Sequence, residues 1–376
     1  MFSLGKYMKK KVLYVIGNLY SGGVESVTAN ILSNISKEKF EIDLAVNSLD
    51  KSSVFYEHLK KNVVKIHVYG ISNDYRTIFF SSWKIWNIMK KGNYDIVHSN
   101  INFCNSIVLM LAFFSRIKKR ISHSHCSMSV NEKKIFYKRI KYRFRCLLRP
   151  FIMFFATDKW AVSQMAGEWL YGRKGKFTVV INGIHIEKYK YDHNLYIQKR
   201  MELNFCDKLI ILNIGSFENT KNHKFLFDVF EKICQLNIES KLILVGEGPM
   251  KEELINYAIL KGIDDKIDFL GLRNNVSDIL CFSDVFISPS ISEGFGLAIL
   301  EAQSAGLPCF ISDSVPDIAN VVNTEKISLS ESPEKWADII VHKMKNFKRK
   351  DESKIIKQSG FDVIDVVKKI EEGYLL

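Results

Sequence analysis

Pro289-Ser-Ile-Ser-Glu-Gly-Phe-Gly-Leu-Ala-Ile-Leu-Glu-Ala-Gln-Ser-Ala-Gly-Leu-Pro308 places two glutamates, Glu293 and Glu301, eight positions apart around a glycine-bearing turn. Asp284 and the apolar run Val285 to Ile287 precede it, and Cys309 to Ile311 follow. Both runs suit strands buried on two faces, as in a parallel sheet. Gly296 to Ala305 reads as a helix that Gly306 and Pro308 stop. A strand, a loop, a helix and a strand result. Such a loop turns the backbone N–H groups of Gly294, Phe295, Gly296 and Leu297 outward at a positive helix end, where a phosphate can sit. Carboxylates repel phosphate, so Glu293 and Glu301 must address another part of the same ligand, and sugar hydroxyls fit. The stretch reads as a nucleotide-sugar site in outline.

With 376 residues, 47% hydrophobic and 25% charged, the chain can fill two large cores and is not disordered. Seven cysteines, scattered without a Cys-x-x-Cys pair, argue against a disulfide framework or zinc site and for a reducing compartment. The lysines at 6, 9, 10 and 11 precede a short strand-like run, not a signal sequence. No apolar stretch approaches the roughly 20 residues that span a bilayer. Residues 116–149 hold twelve Lys or Arg and one acid, Glu132, so this window carries +11 of the formal net charge of +13. Within it Lys134, Lys138, Lys141 and Arg145 make one helical stripe. Phe136, Ile140, Phe144, Leu147 and Phe151 make another, roughly opposite. A membrane-surface helix and a core helix with a solvated basic side both fit.

The first half alternates strand-like and helix-like runs, with strands at Lys11 to Ile16, Phe40 to Val46, Val63 to Val68, Tyr94 to His98 and Arg120 to His123. A polar stretch from Asp192 to Asp207 is expected to be a loop crossing to a second domain. There the alternation restarts with Leu209 to Ile214, Lys241 to Val245 and Lys266 to Leu270. The expected architecture is α/β, with two doubly wound domains, 1–192 and 205–358, and a terminal helix at 361–376. Ligands of such sheets lie beyond the carboxyl ends of the strands.

The Glu293/Glu301 segment resembles the donor-site motif of the family 4 retaining glycosyltransferases, whose fold is GT-B, two Rossmann-like domains facing across a cleft. The resemblance extends from Gly22 to the terminal helix. It implies that Glu293 contacts the transferred sugar and Glu301 the ribose. It also implies that Gly22 and Gly23, in Gly22-Gly23-Val24-Glu25, face the donor diphosphate and acceptor. In Gly215-Ser216-Phe217-Glu218-Asn219-Thr220-Lys221, Lys221 matches a diphosphate-binding lysine, while Ser216 stands where the family usually has arginine. Gly246 and Gly248 match a Gly-x-Gly-Pro turn near the nucleotide, and Leu270 a segment whose backbone faces the base. His125, with His123 as the alternative, matches a histidine near the transferred sugar. The resemblance further implies a terminal helix that crosses back onto the first domain.

The chain has no Asp-x-Asp, the motif that holds a divalent ion in GT-A enzymes, so no metal and no cofactor besides a UDP-linked donor is expected. The expected protein is a peripheral enzyme on the cytoplasmic face of the membrane, moving a hexose-type sugar onto a glycan or lipid-linked saccharide. Among bacterial members, capsule and exopolysaccharide transferases match it best. A sugar-nucleotide epimerase, and a non-catalytic protein binding polyanions or membrane surfaces, are the rival readings.

Overall fold

The structure is a computed structural model and describes residues 8–20, 22–70, 78–125, 142–143 and 145–376, with Phe79 as backbone only. Most of the basic stripe, Lys134, Lys138 and Lys141 with Phe136, Ile140 and Phe144, lies outside the described residues. Two units form. One takes the chain up to Gly183 together with Val363–Leu376, the other Ile184–Asp362.

Apolar runs set both sheets. The first unit holds β1 (Lys10–Val15), β2 (Phe40–Val46), β3 (Lys65–Val68), β4 (Ile96–Ser99), β5 (Lys119–Ser124), β6 (Asp158–Ala161) and β7 (Thr178–Val179) in the order β3-β2-β1-β4-β5-β6-β7. The second holds β8 (Leu209–Ile214), β9 (Ser240–Val245), β10 (Ile267–Gly271), β11 (Val285–Ser288), β12 (Cys309–Ser312) and β13 (Thr324–Ile327) in the order β10-β9-β8-β11-β12-β13. Every strand pair is parallel. Helices cover the faces, which is why the strand interiors are apolar on both sides. In the second unit one core, around Phe217, Phe227, Phe230 and Trp336, and another, around Phe286, Ile299 and Leu307, are built from alternate residues of the same strands. Strand order reverses between β1 and β4 and between β8 and β11. In sheets of this kind such switch points, at the carboxyl ends of the strands, are where ligands bind.

Helix Val363–Leu375 packs on the first unit. Glu371 accepts from Ser36 N at 2.7 Å and pairs with Lys39 at 3.2 Å. Gly373 sits so close to the Trp160 ring that a Cβ there would lie 2.5 Å from it. Where the chain passes from one unit to the other and returns, Ile184 N donates to Phe361 O at 2.9 Å.

The segment expected as a polar loop, 192–207, instead contains helix His193–Glu202, which belongs to the second unit. Its one buried residue is Arg200, which pairs with Asp284 at 2.6 Å while Tyr196 donates to the same carboxylate at 2.8 Å. Periodicity could not reveal a helix held by a buried ion pair. Asp192 caps it, accepting from Asn194 N and Leu195 N at 2.8 and 3.1 Å. Asp192→Ala should therefore cost about 1 kcal/mol, seen as a lower urea midpoint, and Asp192→Asn should retain most of it.

Candidate functional site

The loops after β8, β9 and β10 are laced together by backbone. Phe217 N donates to Glu247 O at 3.0 Å, Met250 N to Phe217 O at 3.1 Å, and Gly246 N to Gly271 O at 3.0 Å. A Cβ on Gly246 would fall 2.0 Å from Gly215 O, so only glycine lets the two turns approach this closely. A Cβ on Gly248 would stand 2.6 Å from Phe217 O. The β9–β10 ladder skips Leu270, leaving a bulge at the strand tip. Phe217 is fully buried beneath, against His223 and Phe269. The result is a rigid rim carrying Ser216 and Lys221.

Across the β8/β11 switch point, Ile291 N donates to Thr220 O at 2.8 Å and joins that rim to the loop after β11. Lys221 Nζ donates to Glu293 Oε2 at 2.5 Å, with both side chains mostly shielded from solvent. A strongly paired cation and carboxylate thus meet where the two loops diverge. An ammonium has three donors and a carboxylate two acceptor oxygens, so the pair can present positive charge to phosphate and acceptor oxygen to a hydroxyl. Lys224, three residues on, pairs instead with Glu253 on the surface.

Gly294 and Phe295 lead into helix Leu297–Ser304. Phe295 is buried against Phe361, and Gly296 adopts φ +94°, a left-handed conformation in which other residues are strained. No side chain caps this helix, and while Ile299 N and Leu300 N donate to Gly296 O at 3.1 and 3.2 Å, the N–H groups of Leu297 and Ala298 precede the first helical turn's acceptors. Glu301 lies on the same helix and is buried, accepting from the Tyr189 hydroxyl at 2.9 Å. Burial pushes its carboxyl up to about 7, the Tyr189 hydrogen bond and nearby Lys188 offsetting part of that rise. Tyr189 is correspondingly pushed up by burial and by the Glu301 charge.

The first unit carries the remaining candidates. Gly22 and Gly23 open helix Gly23–Asn34, and the Glu25 carboxylate folds back over Gly22, with Oε2 2.7 Å from where a Gly22 Cβ would stand. Burial raises the Glu25 carboxyl, while the backbone N–H groups around Gly22 partly offset this. His125 follows β5 and is buried. Asn100, after β4, donates through Nδ2 to Val15 O and His98 O at 3.2 and 3.4 Å, which fixes its Oδ1 as the atom facing His125 Nε2 at 2.9 Å. His125 therefore carries its proton on Nε2 and offers Nδ1 as an acceptor. Burial lowers it to about 4, so it is neutral at physiological pH. His123 lies beside it, the two rings tilted with centroids 4.3 Å apart, and stacks on and hydrogen-bonds His98, whose Nδ1 meets the Tyr374 hydroxyl at 2.7 Å. Among the described residues no set of three or more His, Cys, Asp or Glu converges as metal ligands.

Sequence reasoning missed Tyr189, Asn100 and Tyr374. Each acts through a partner distant in the chain, and none stands in a motif.

Residues 21–188 match the family model described as Glycosyltransferase Family 4, and residues 197–359 the one described as Glycosyl transferases group 1. The chain is 26% identical over 378 residues to the capsular polysaccharide biosynthesis glycosyltransferase CapH of Staphylococcus aureus, covering 97% of this chain and 98% of that one. It is 28% identical over 319 residues to the UDP-Gal:alpha-D-GlcNAc-diphosphoundecaprenol alpha-1,3-galactosyltransferase of Escherichia coli, covering 82% and 80%. Among solved structures, HepE of Anabaena in complex with UDP and glucose is similar with a TM-score of 0.77. That likeness covers 97% of this chain and 99% of that one at 18% identity, and speaks for the fold.

Proposed function

The chain belongs to the family 4 glycosyltransferases and has their GT-B fold, and on that premise we propose that it transfers a hexose-type sugar from a UDP-linked donor to a lipid-linked saccharide. The observation that carries this reading is the Lys221–Glu293 pair at the switch point of the second sheet, with Glu301 on the helix that follows. In it, Lys221 and the amides of Gly294 to Leu297 hold the diphosphate, Glu293 the sugar and Glu301 the ribose, while the rim at Ser216, Gly246, Gly248 and Leu270 receives the nucleotide. Gly22, Gly23 and His125 serve the acceptor side and the transferred sugar.

The proposed reaction retains configuration and needs no metal. The acceptor oxygen attacks the anomeric carbon from the face that UDP leaves, the bond to the β-phosphate oxygen breaks, and that phosphate takes the acceptor proton. The protein then contributes position and charge stabilisation. CapH and the E. coli relative bear names from capsule and diphosphoundecaprenol chemistry, which supports a role in surface polysaccharide assembly. The basic window 116–149 supports work at the anionic cytoplasmic face of a membrane.

The test is acceptor-dependent UDP release from a set of UDP-sugars, with and without chelator. Lys221→Ala and Glu293→Ala should each lower kcat/KM roughly tenfold or more, the loss expected when a charged hydrogen bond of 1.5–3 kcal/mol is removed. Lys221→Ala should also weaken UDP binding, Glu293→Ala should act mainly on kcat, and Lys224→Ala should change little. UDP release without acceptor, accompanied by sugar epimerisation, would favour the epimerase instead. Activity abolished by chelator would contradict the metal-free mechanism.

A further inference from the structure

Helices Ile78–Gly92, Asn105–Phe114 and Arg149–Phe155 lie side by side on the first unit, the second packed between the other two. Their inner residues, such as Ile85, Met89, Val108 and Ile152, are buried. On their outer faces Phe80, Trp83, Phe114 and Phe154 are 69, 57, 61 and 74% exposed. These rings form one surface. Phe113 meets Phe154 and Phe155 at 6.4 and 5.4 Å, and Lys90 joins Trp86 to Phe114, its Nζ 5.8 Å from the indole and 3.4 Å from Phe114 O.

The charge on these helices and their flanks is predominantly basic, with Lys119 paired to Asp158 at 3.6 Å at the margin. Segments 78–94, 105–120 and 142–157 hold ten Lys or Arg and no Asp or Glu. Cations also stand over the rings themselves, Lys84 over Trp83 at 6.0 Å and Arg120 over Phe113 at 5.4 Å. Single exposed apolar residues are ordinary on a protein surface, but aromatics clustered across three helices mark a contact site. A second copy of this chain would set cation against cation there. An anionic bilayer complements both properties, because indole and phenyl rings settle at headgroup depth while Lys and Arg meet lipid phosphates.

We propose that this aromatic and basic face inserts into the headgroup region of an anionic bilayer. The proposal rests on the membrane-surface reading above and deepens it by assigning the contact to these three helices. Full-length protein should sediment at low salt with phosphatidylcholine vesicles containing phosphatidylglycerol and not with phosphatidylcholine alone. Its tryptophan emission should shift to the blue and be quenched by brominated lipid. Combining Trp83→Ser, Trp86→Ser, Phe114→Ser and Phe154→Ser should lower the partition coefficient roughly tenfold or more. UDP release with a short soluble acceptor should be unchanged, which also verifies folding.

Wild-type binding that the fourfold variant retains, or an absence of lipid quenching, would overturn the assignment of this face and leave the membrane reading to another segment. Failure of the wild type to bind would remove both, while acceptor-dependent UDP release would still stand. A wild-type dimer that the variant dissolves, or lipid-independent oligonucleotide binding that it loses, would equally overturn the proposal by naming another occupant.

Discussion

Acidification from pH 6.5 toward 4 should destabilise the first unit, because three buried histidines refuse protons that the unfolded chain accepts. Burial lowers His125 to about 4 and holds His98 and His123 well below their ordinary 6.5, with the neighbouring imidazoles adding repulsion at the latter two. A depressed histidine binds fewer protons folded than unfolded between the two values, so its share of stability is complete above 6.5 and falls away below it. His125 alone accounts for roughly 3 kcal/mol across that window. Glu25, raised by burial, works in the opposite sense and trims the slope. Hydrogen exchange of the β4 and β5 amides, followed against pH, reads this unit without the other. His125→Asn should reduce the dependence by about one proton. A wild-type slope that the substitution leaves intact would mean the cluster does not titrate as a buried group.

The same histidines show where sequence reading stops. His125 could be singled out because it follows a recognisable strand and sits in a motif, but its protonation state depends on Asn100, 25 residues earlier, and on two carbonyls that orient that amide. His98 gave no signal because its partner Tyr374 is 276 positions away. The donor segment was more legible for a physical reason. β11, the turn at Gly296, helix Leu297–Ser304 and β12 are consecutive, and each has a local signature in apolar runs and glycines. Helix His193–Glu202 lacked one, since it exposes Leu195, Ile197 and Met201 and buries an arginine. The closeness of the turns at Gly215 and Gly246 was likewise invisible, being set by strand order in the sheet.

Glu301→Gln should make the second unit more stable above pH 7 and less able to hold a nucleotide. The folded carboxyl sits at about 7 against an ordinary 4.5, because burial penalises its charged form. A raised carboxyl keeps its proton in the folded state where the unfolded chain has lost it, so the cost of Glu301 is absent below 4.5, grows to pH 7 and is then complete. That cost is roughly 3 kcal/mol, and the amide escapes it while still accepting from Tyr189. His223, in the same unit and lowered to about 4 by burial and by Lys221, produces the opposite trend over an overlapping range. The difference between variant and wild type, not the wild-type profile, therefore isolates Glu301. A carboxylate held at such cost is explained if it accepts ribose hydroxyls, since hydrogen bonds to a charged acceptor are worth about 1.5–3 kcal/mol. On that account UDP affinity in the wild type should climb as pH rises through 7, and in Glu301→Gln it should be lower and nearly flat. Equal UDP affinity in the two proteins at pH 8, with the stability gain present, would leave Glu301 a buried carboxyl unconnected to the nucleotide. Loss of both effects would show that the carboxyl is not buried at all.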